Sequence, residues 1–276
     1  MPYADLSTVR MHYCEAGQGP ERVLLVHGFQ ASGRIWQPVQ QRLPARLHSI
    51  AVNNRGAGET TAPADESQYG CKPFADDLYE LVDSLAWEAF TLVGHSMGGA
   101  TAMQFAVDHP DRLKGLVLLD PAPPDGLLEA GADVDAAIEQ RILAREAQRA
   151  AGARSSELDG SNLPGEFVRA LAADIDAAPE QRLRGSYRSM ATLRLGERVA
   201  TLAMPVLLMG GDQDQLVPLQ SMLNTYARLP AGSGLQIWHG AGHSPNLSDP
   251  AAVCNVLVHF IEHTIPTHKA LAGRHS

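Results

Sequence analysis

Cysteine, basic side chains and long apolar runs are all scarce in this sequence. Its three cysteines, Cys14, Cys71 and Cys254, stand far apart in 276 residues. An odd, scattered set excludes a disulfide framework and favours a reducing compartment. No apolar stretch approaches the roughly 20 residues of a spanning helix. The opening Met-Pro-Tyr-Ala-Asp-Leu lacks the basic patch and apolar core of a secretory signal. These absences point to a soluble, cytoplasmic chain with no membrane partner. Only 22 lysines and arginines face 31 acids, a net charge of -9. A nucleic-acid partner needs a basic stripe to replace phosphate counterions. The one basic cluster lies in the short tail after Pro266, so no nucleic-acid partner is expected.

What is present is an ordinary globular composition, 45% hydrophobic and 19% charged, in a chain long enough to bury a large core. Short aliphatic runs alternate with amphipathic stretches. Val23–Val26, Ser49–Val52, Thr91–Val93, Leu116–Leu119 and Val206–Met209 read as strands buried on both faces. Leu235–Trp238 reads as a last strand and Val9–Cys14 as an early edge strand. Phe74, Leu78, Leu81, Val82 and Leu85 recur at helical spacing, as do Ala102, Phe105 and Ala106. Ser248-Asp249-Pro250 is a cap with proline in the first turn, opening a helix to His263. The alternation predicts an α/β fold with a mostly parallel sheet between helices. From Asp125 to Leu202 no strand is apparent. Helical runs near 136–150 and 165–177, separated by breaks at Gly160-Ser161-Asn162 and Ala178-Pro179, read as an insertion between two core strands. The expected organisation is a core of 1–124 and 203–265, a helical cap of 125–202, and a flexible tail of 266–276.

The chemistry centres on Thr91-Leu-Val-Gly94-His95-Ser96-Met97-Gly98-Gly99-Ala100, where G-x-S-x-G follows a strand and opens a helix. That context makes a nucleophile elbow. The turn strains the serine backbone, needs small neighbours at Gly94 and Gly98, and lifts the Ser96 hydroxyl into the open. The Met97 N–H, at a helix N-terminus, can meet a developing oxyanion.

On this motif and its surroundings the chain resembles the α/β-hydrolase-fold serine hydrolases that carry a helical cap. The likeness spans roughly Val9 to His263. It implies the chain order serine, acid, histidine. Of 11 histidines, His243 lies in Trp238-His239-Gly240-Ala241-Gly242-His243-Ser244-Pro245, after the last strand, and resembles the family's catalytic histidine. The resemblance puts the orienting acid at Asp214. Two rivals stay open: Asp212 beside it, and Asp120 at the end of the Leu116–Leu119 strand. His27-Gly28-Phe29-Gln30 follows the first core strand, and the resemblance makes Phe29 N–H the second oxyanion donor. His27, Gln30 and His95 are expected around the substrate pocket. Asn53-Asn54-Arg55-Gly56-Ala57-Gly58 resembles the family's structural turn, with asparagine at 53 where aspartate is usual, which weakens local pairing with Arg55.

His259-Phe-Ile-Glu262-His263 fits H-x-x-E-H, but a zinc site would need a further ligand and only a short tail follows. No metal and no cofactor are expected. The resulting expectation is a hydrolase cleaving an ester-like bond of a small molecule through Ser96, His243 and Asp214. A lactonase or a carbon–carbon bond hydrolase would use the same triad. A triad-bearing ligand receptor and a lyase are readings from other classes. Serine at 96 excludes the aspartate-nucleophile relatives that displace at saturated carbon. Substrate choice would rest on the cap, whose many arginines would favour a carboxylate-bearing substrate if one faced the pocket.

Overall fold

Each aliphatic run expected to be a strand is one. In a computed structural model, which describes residues 2–151 and 163–272, the strands are Tyr3–Asp5 (β1), Arg10–Ala16 (β2), Glu21–Val26 (β3), Leu47–Val52 (β4), Phe90–His95 (β5), Leu113–Leu119 (β6), Val206–Gly211 (β7) and Gly234–Trp238 (β8). They form a single sheet in the order β1-β2-β4-β3-β5-β6-β7-β8. The first two pairings are antiparallel, β1 with β2 and β2 with β4; the rest are parallel. The three-residue β1 went unseen because Tyr-Ala-Asp carries no apolar run.

Register explains why the runs are continuous rather than alternating. Leu24, Leu92, Leu116 and Val206 are successive partners across β3, β5, β6 and β7, and all lie in one core cluster. One residue on, Leu25, Val93, Val117 and Leu207 make the next row and lie in a second cluster on the opposite face. Both faces are therefore buried, so every position must be apolar. Burying each of these side chains is worth about 1.5–3 kcal/mol. Phe74, Leu78 and Leu81 of the Cys71–Ser84 helix and Phe105 of the Met97–Asp108 helix fill the first layer. Val253 and Leu257 of the Pro250–His259 helix fill the second, beside Trp36. That last helix starts as its sequence indicated, with the Asp249 side chain accepting from Ala252 N–H at 3.0 Å.

Between β6 and β7 the described residues hold helices and no strand: Val134–Ala150, Gly165–Asp176, Glu180–Thr192 and Gly196–Val199. The Gly160-Ser161-Asn162 break lies outside the described residues. The Ala178-Pro179 break separates the second helix from the third. These helices straddle the sheet: Ile138, Leu183 and Met190 join the first apolar cluster, Leu171 and Ile175 the second. A π-helical turn spans Phe260–Thr264, just ahead of Pro266, which has no N–H for the carbonyl four residues back. The segment read as a tail then continues as a helix, Ile265–Ala272, because Ile265 is buried in the second cluster. Among the described residues no helix is long and apolar enough to cross a membrane.

Candidate active site

At the end of β5 the chain turns from strand to helix within one residue. Ser96 sits at φ 55°, ψ -119°, a conformation that costs a non-glycine residue of order 1–3 kcal/mol. Neighbours hold it there. Ser96 N–H donates to Leu119 O at 2.9 Å, and Ser96 O accepts from Ala122 N–H at 3.0 Å and Gly99 N–H at 2.9 Å. The flanking glycines are obligatory: a Cβ on Gly94 would meet Gly98 O at 2.1 Å, and one on Gly98 would meet Val26 O at 2.4 Å.

The loop after β7 carries Asp214 and the loop after β8 carries His243. Their side chains are buried and joined by a His243 Nδ1–Asp214 Oδ2 bond of 2.6 Å. The other carboxylate oxygen accepts from Leu216 N–H at 2.7 Å and Val217 N–H at 3.0 Å. Burial alone would raise the acid's pKa, but these donors reverse the effect and hold it below the usual range. An ionised Asp214 can only accept, so the proton sits on Nδ1 and the lone pair on His243 Nε2. His95 supports this loop from the elbow side, its ring Nε2 donating to His243 O at 2.8 Å.

The rival acids have other partners. Asp212 binds His239 Nδ1 at 2.6 Å and Gly240 N–H at 2.7 Å, on a histidine whose side chain is 95% exposed. Asp120 is wholly buried and accepts from Gly211 N–H at 3.0 Å. Burial first, then the neighbouring Asp214 charge, pushes its carboxyl well above the usual range. It flanks the Asp214 carboxylate.

The loop after β3 is fixed by two side chains. His27 Nδ1 donates to Gly28 O at 2.7 Å, while its Nε2 accepts from Asn54 N–H at 3.0 Å. Gly28 O belongs to the same peptide plane as Phe29 N–H, so His27 sets the direction of that donor. Arg182, from the Glu180–Thr192 helix, donates through Nη2 to Phe29 O at 3.0 Å and Ala31 O at 2.8 Å. Among the described residues, Phe29 N–H and Met97 N–H have no acceptor within the protein. A side chain at Gly28 would put its Cβ 3.2 Å from Ser96 Cβ, which shows how near this loop lies to the elbow.

Ser96, His243 and Phe29 line one cavity of about 240 Å³. The inserted region adds Leu127, Arg141, Tyr187 and Met190 to its wall. Three residues expected around the pocket lie elsewhere. His27 and His95 are wholly buried, with His27 Nδ1 and His95 Nε2 each bonded to a backbone carbonyl, and Gln30 is turned to Arg145 Nε at 3.1 Å. Arg55 forks onto Asp77, with Nε–Oδ2 at 2.6 Å and Nη2–Oδ1 at 2.7 Å. Asn53 instead accepts from Gly33 N–H at 2.7 Å. Sequence reasoning missed Arg182 and Asp77, since each owes its role to a partner distant in the chain.

Comparison with known proteins agrees with this architecture. The family model for the alpha/beta hydrolase fold matches residues 21–250. Over 271 residues the chain is 28% identical to 2-(acetamidomethylene)succinate hydrolase of Mesorhizobium japonicum, with 94% of each chain covered. A thermophilic esterase from Thermogutta terrifontis, solved with malate bound, is 25% identical at a TM-score of 0.77, over 95% of this chain and 98% of that one. An esterase from Exiguobacterium antarcticum superposes with a TM-score of 0.81 at 22% identity, over 94% and 98% of the two chains, a likeness of fold. With its sharp strand-to-helix turn at Ser96, mostly parallel sheet and matched length, the chain belongs to the α/β-hydrolase fold family.

Proposed function

We propose that this protein is a serine hydrolase cleaving an ester-like bond of a small organic substrate, with Ser96 as nucleophile, His243 as base and Asp214 as the orienting acid. The observation that carries the reading is the buried His243–Asp214 bond of 2.6 Å on the same cavity as a strained Ser96. His243 Nε2 takes the Ser96 Oγ proton as the oxygen attacks the substrate carbonyl. Phe29 and Met97 N–H groups receive the oxyanion, each worth about 3 kcal/mol in related enzymes. The tetrahedral intermediate expels the alcohol, which takes the proton from His243. Water, deprotonated by the same histidine, then frees the acid and restores Ser96. Residues 125–202 act as a cap, since they supply one wall of the cavity. A lactone would follow the same course, because its ring oxygen is the leaving group. Amide-like substrates are favoured as a second reading by the likeness to the Mesorhizobium hydrolase.

A p-nitrophenyl ester series from acetyl to decanoyl tests the reading, with Ser96→Ala beside the wild type. The variant should retain under about a thousandth of turnover. Retention of a tenth or more would remove the covalent mechanism. Silence across the series with Ser96 labelled by a fluorophosphonate would leave the nucleophile in place behind a selective cap.

A further inference from the structure

Among the described residues that line the cavity, one carries a permanent charge. Arg141, on the Val134–Ala150 helix, lines it, and among the described lining residues there is no carboxylate. Three other arginines of the inserted region are matched by acids: Arg149 holds Asp176, Arg184 holds Glu139, and Arg188 holds Asp135. Among the described residues Arg141 has no anionic partner. Its guanidinium carbon lies 5.8 Å from the centroid of the Phe29 ring, and Tyr187 packs edge-on to that ring at 6.3 Å. Phe29 is thus flanked by a cation and a phenol, both on the cavity.

We infer that Arg141 receives a free carboxylate on the substrate, so that the preferred substrates are small carboxylate-bearing esters. This rests on the serine-hydrolase reading for the reaction, though the anion site itself does not. Arg141 is half-buried, and a partly desolvated guanidinium with no partner is costly. A carboxylate meets it through two parallel N–H···O bonds, and the aromatic face beneath keeps its plane available. The apolar remainder of the wall, including Leu127, Met190 and Val217, suits a short hydrocarbon chain between the carboxylate and the scissile bond. A volume of about 240 Å³ keeps that chain short.

The test compares p-nitrophenyl hydrogen glutarate with neutral p-nitrophenyl hexanoate, in the wild type, Arg141→Met and Arg141→Lys. The preference is the ratio of the two kcat/KM values within each protein, so a general loss cancels. Replacing arginine by methionine should lower this ratio about 10- to 100-fold, mostly through KM of the charged ester. Lysine should restore part of it. Calorimetric titration with glutarate reads the site without turnover, and Arg141→Met should weaken binding about tenfold or more. Equal ratios, or equal glutarate affinities, in wild type and Arg141→Met would overturn the anion site and leave the serine mechanism standing. Glutarate binding that depends on Arg141, with no ester turnover and no fluorophosphonate labelling, would keep the site and refute the mechanism.

Discussion

Acid should destabilise this protein through two histidines that cannot take a proton where they sit. His95 is wholly buried, and burial, then the nearby His243, pushes its pKa down to about 3. His27 is held well below the ordinary range by burial and by Arg182. In the unfolded chain each titrates near 6.5. Below that pH the unfolded state binds more protons than the native one, so stability falls as pH falls. For His95 the linkage cost at pH 5 is about 2 kcal/mol and is nearly absent at pH 7. His95 alone removes roughly 2 kcal/mol between those pH values, a sizeable share of the 5–15 kcal/mol typical of a domain, and His27 acts in the same direction. His95→Gln tests the arithmetic, since glutamine can still donate to the His243 carbonyl but cannot titrate. Urea melts of both proteins at pH 7 and pH 5 should show the variant losing about 2 kcal/mol less than the wild type. Equal losses in the two proteins would refute the reasoning.

Two further outcomes follow from buried carboxylates. Arg55→Met strands the Asp77 carboxylate beneath the surface, and urea melts should register a loss of about 3–5 kcal/mol, largely recovered when Asp77→Leu is added. A loss under about 1 kcal/mol would show that the pair behaves like an exposed one. Asp214→Asn should lower kcat about ten-thousandfold by upsetting the His243 tautomer. Asp120→Asn is a near-isosteric change at a carboxyl whose pKa burial raises, and should cost less than about tenfold. The reverse order in a steady-state assay would move the orienting role to Asp120.

The core was readable because the sheet is buried on both faces. Continuous runs such as Val23–Val26 and Leu116–Leu119 have no other soluble explanation once glycine, aspartate or proline bounds them. The Ser96 elbow was readable because its glycines are demanded by backbone approaches of 2.1 and 2.4 Å. Adjacency to the glycine loop and to Ser96 in sequence does not reveal that His27 and His95 are wholly buried. His27 spends both ring nitrogens on backbone groups, and His95 spends Nε2 on the His243 carbonyl. Arg141 is one of several arginines of the inserted region, and nothing local distinguishes it from Arg149 or Arg184. Only the third dimension shows that it lines the cavity while those two meet carboxylates.

The grip of Arg182 on the loop after β3 bears on how this protein could be re-engineered. Specificity in such a fold is an obvious target for transplanting the inserted helices from a relative. Here the transplant would also remove the guanidinium from the carbonyls of Phe29 and Ala31. A grafted segment would therefore have to bring its own buried donor to that place, or the recipient loop would need new residues selected alongside it. Chimaeras that move the helices and residues 27–31 as one block should survive where chimaeras of the helices alone do not.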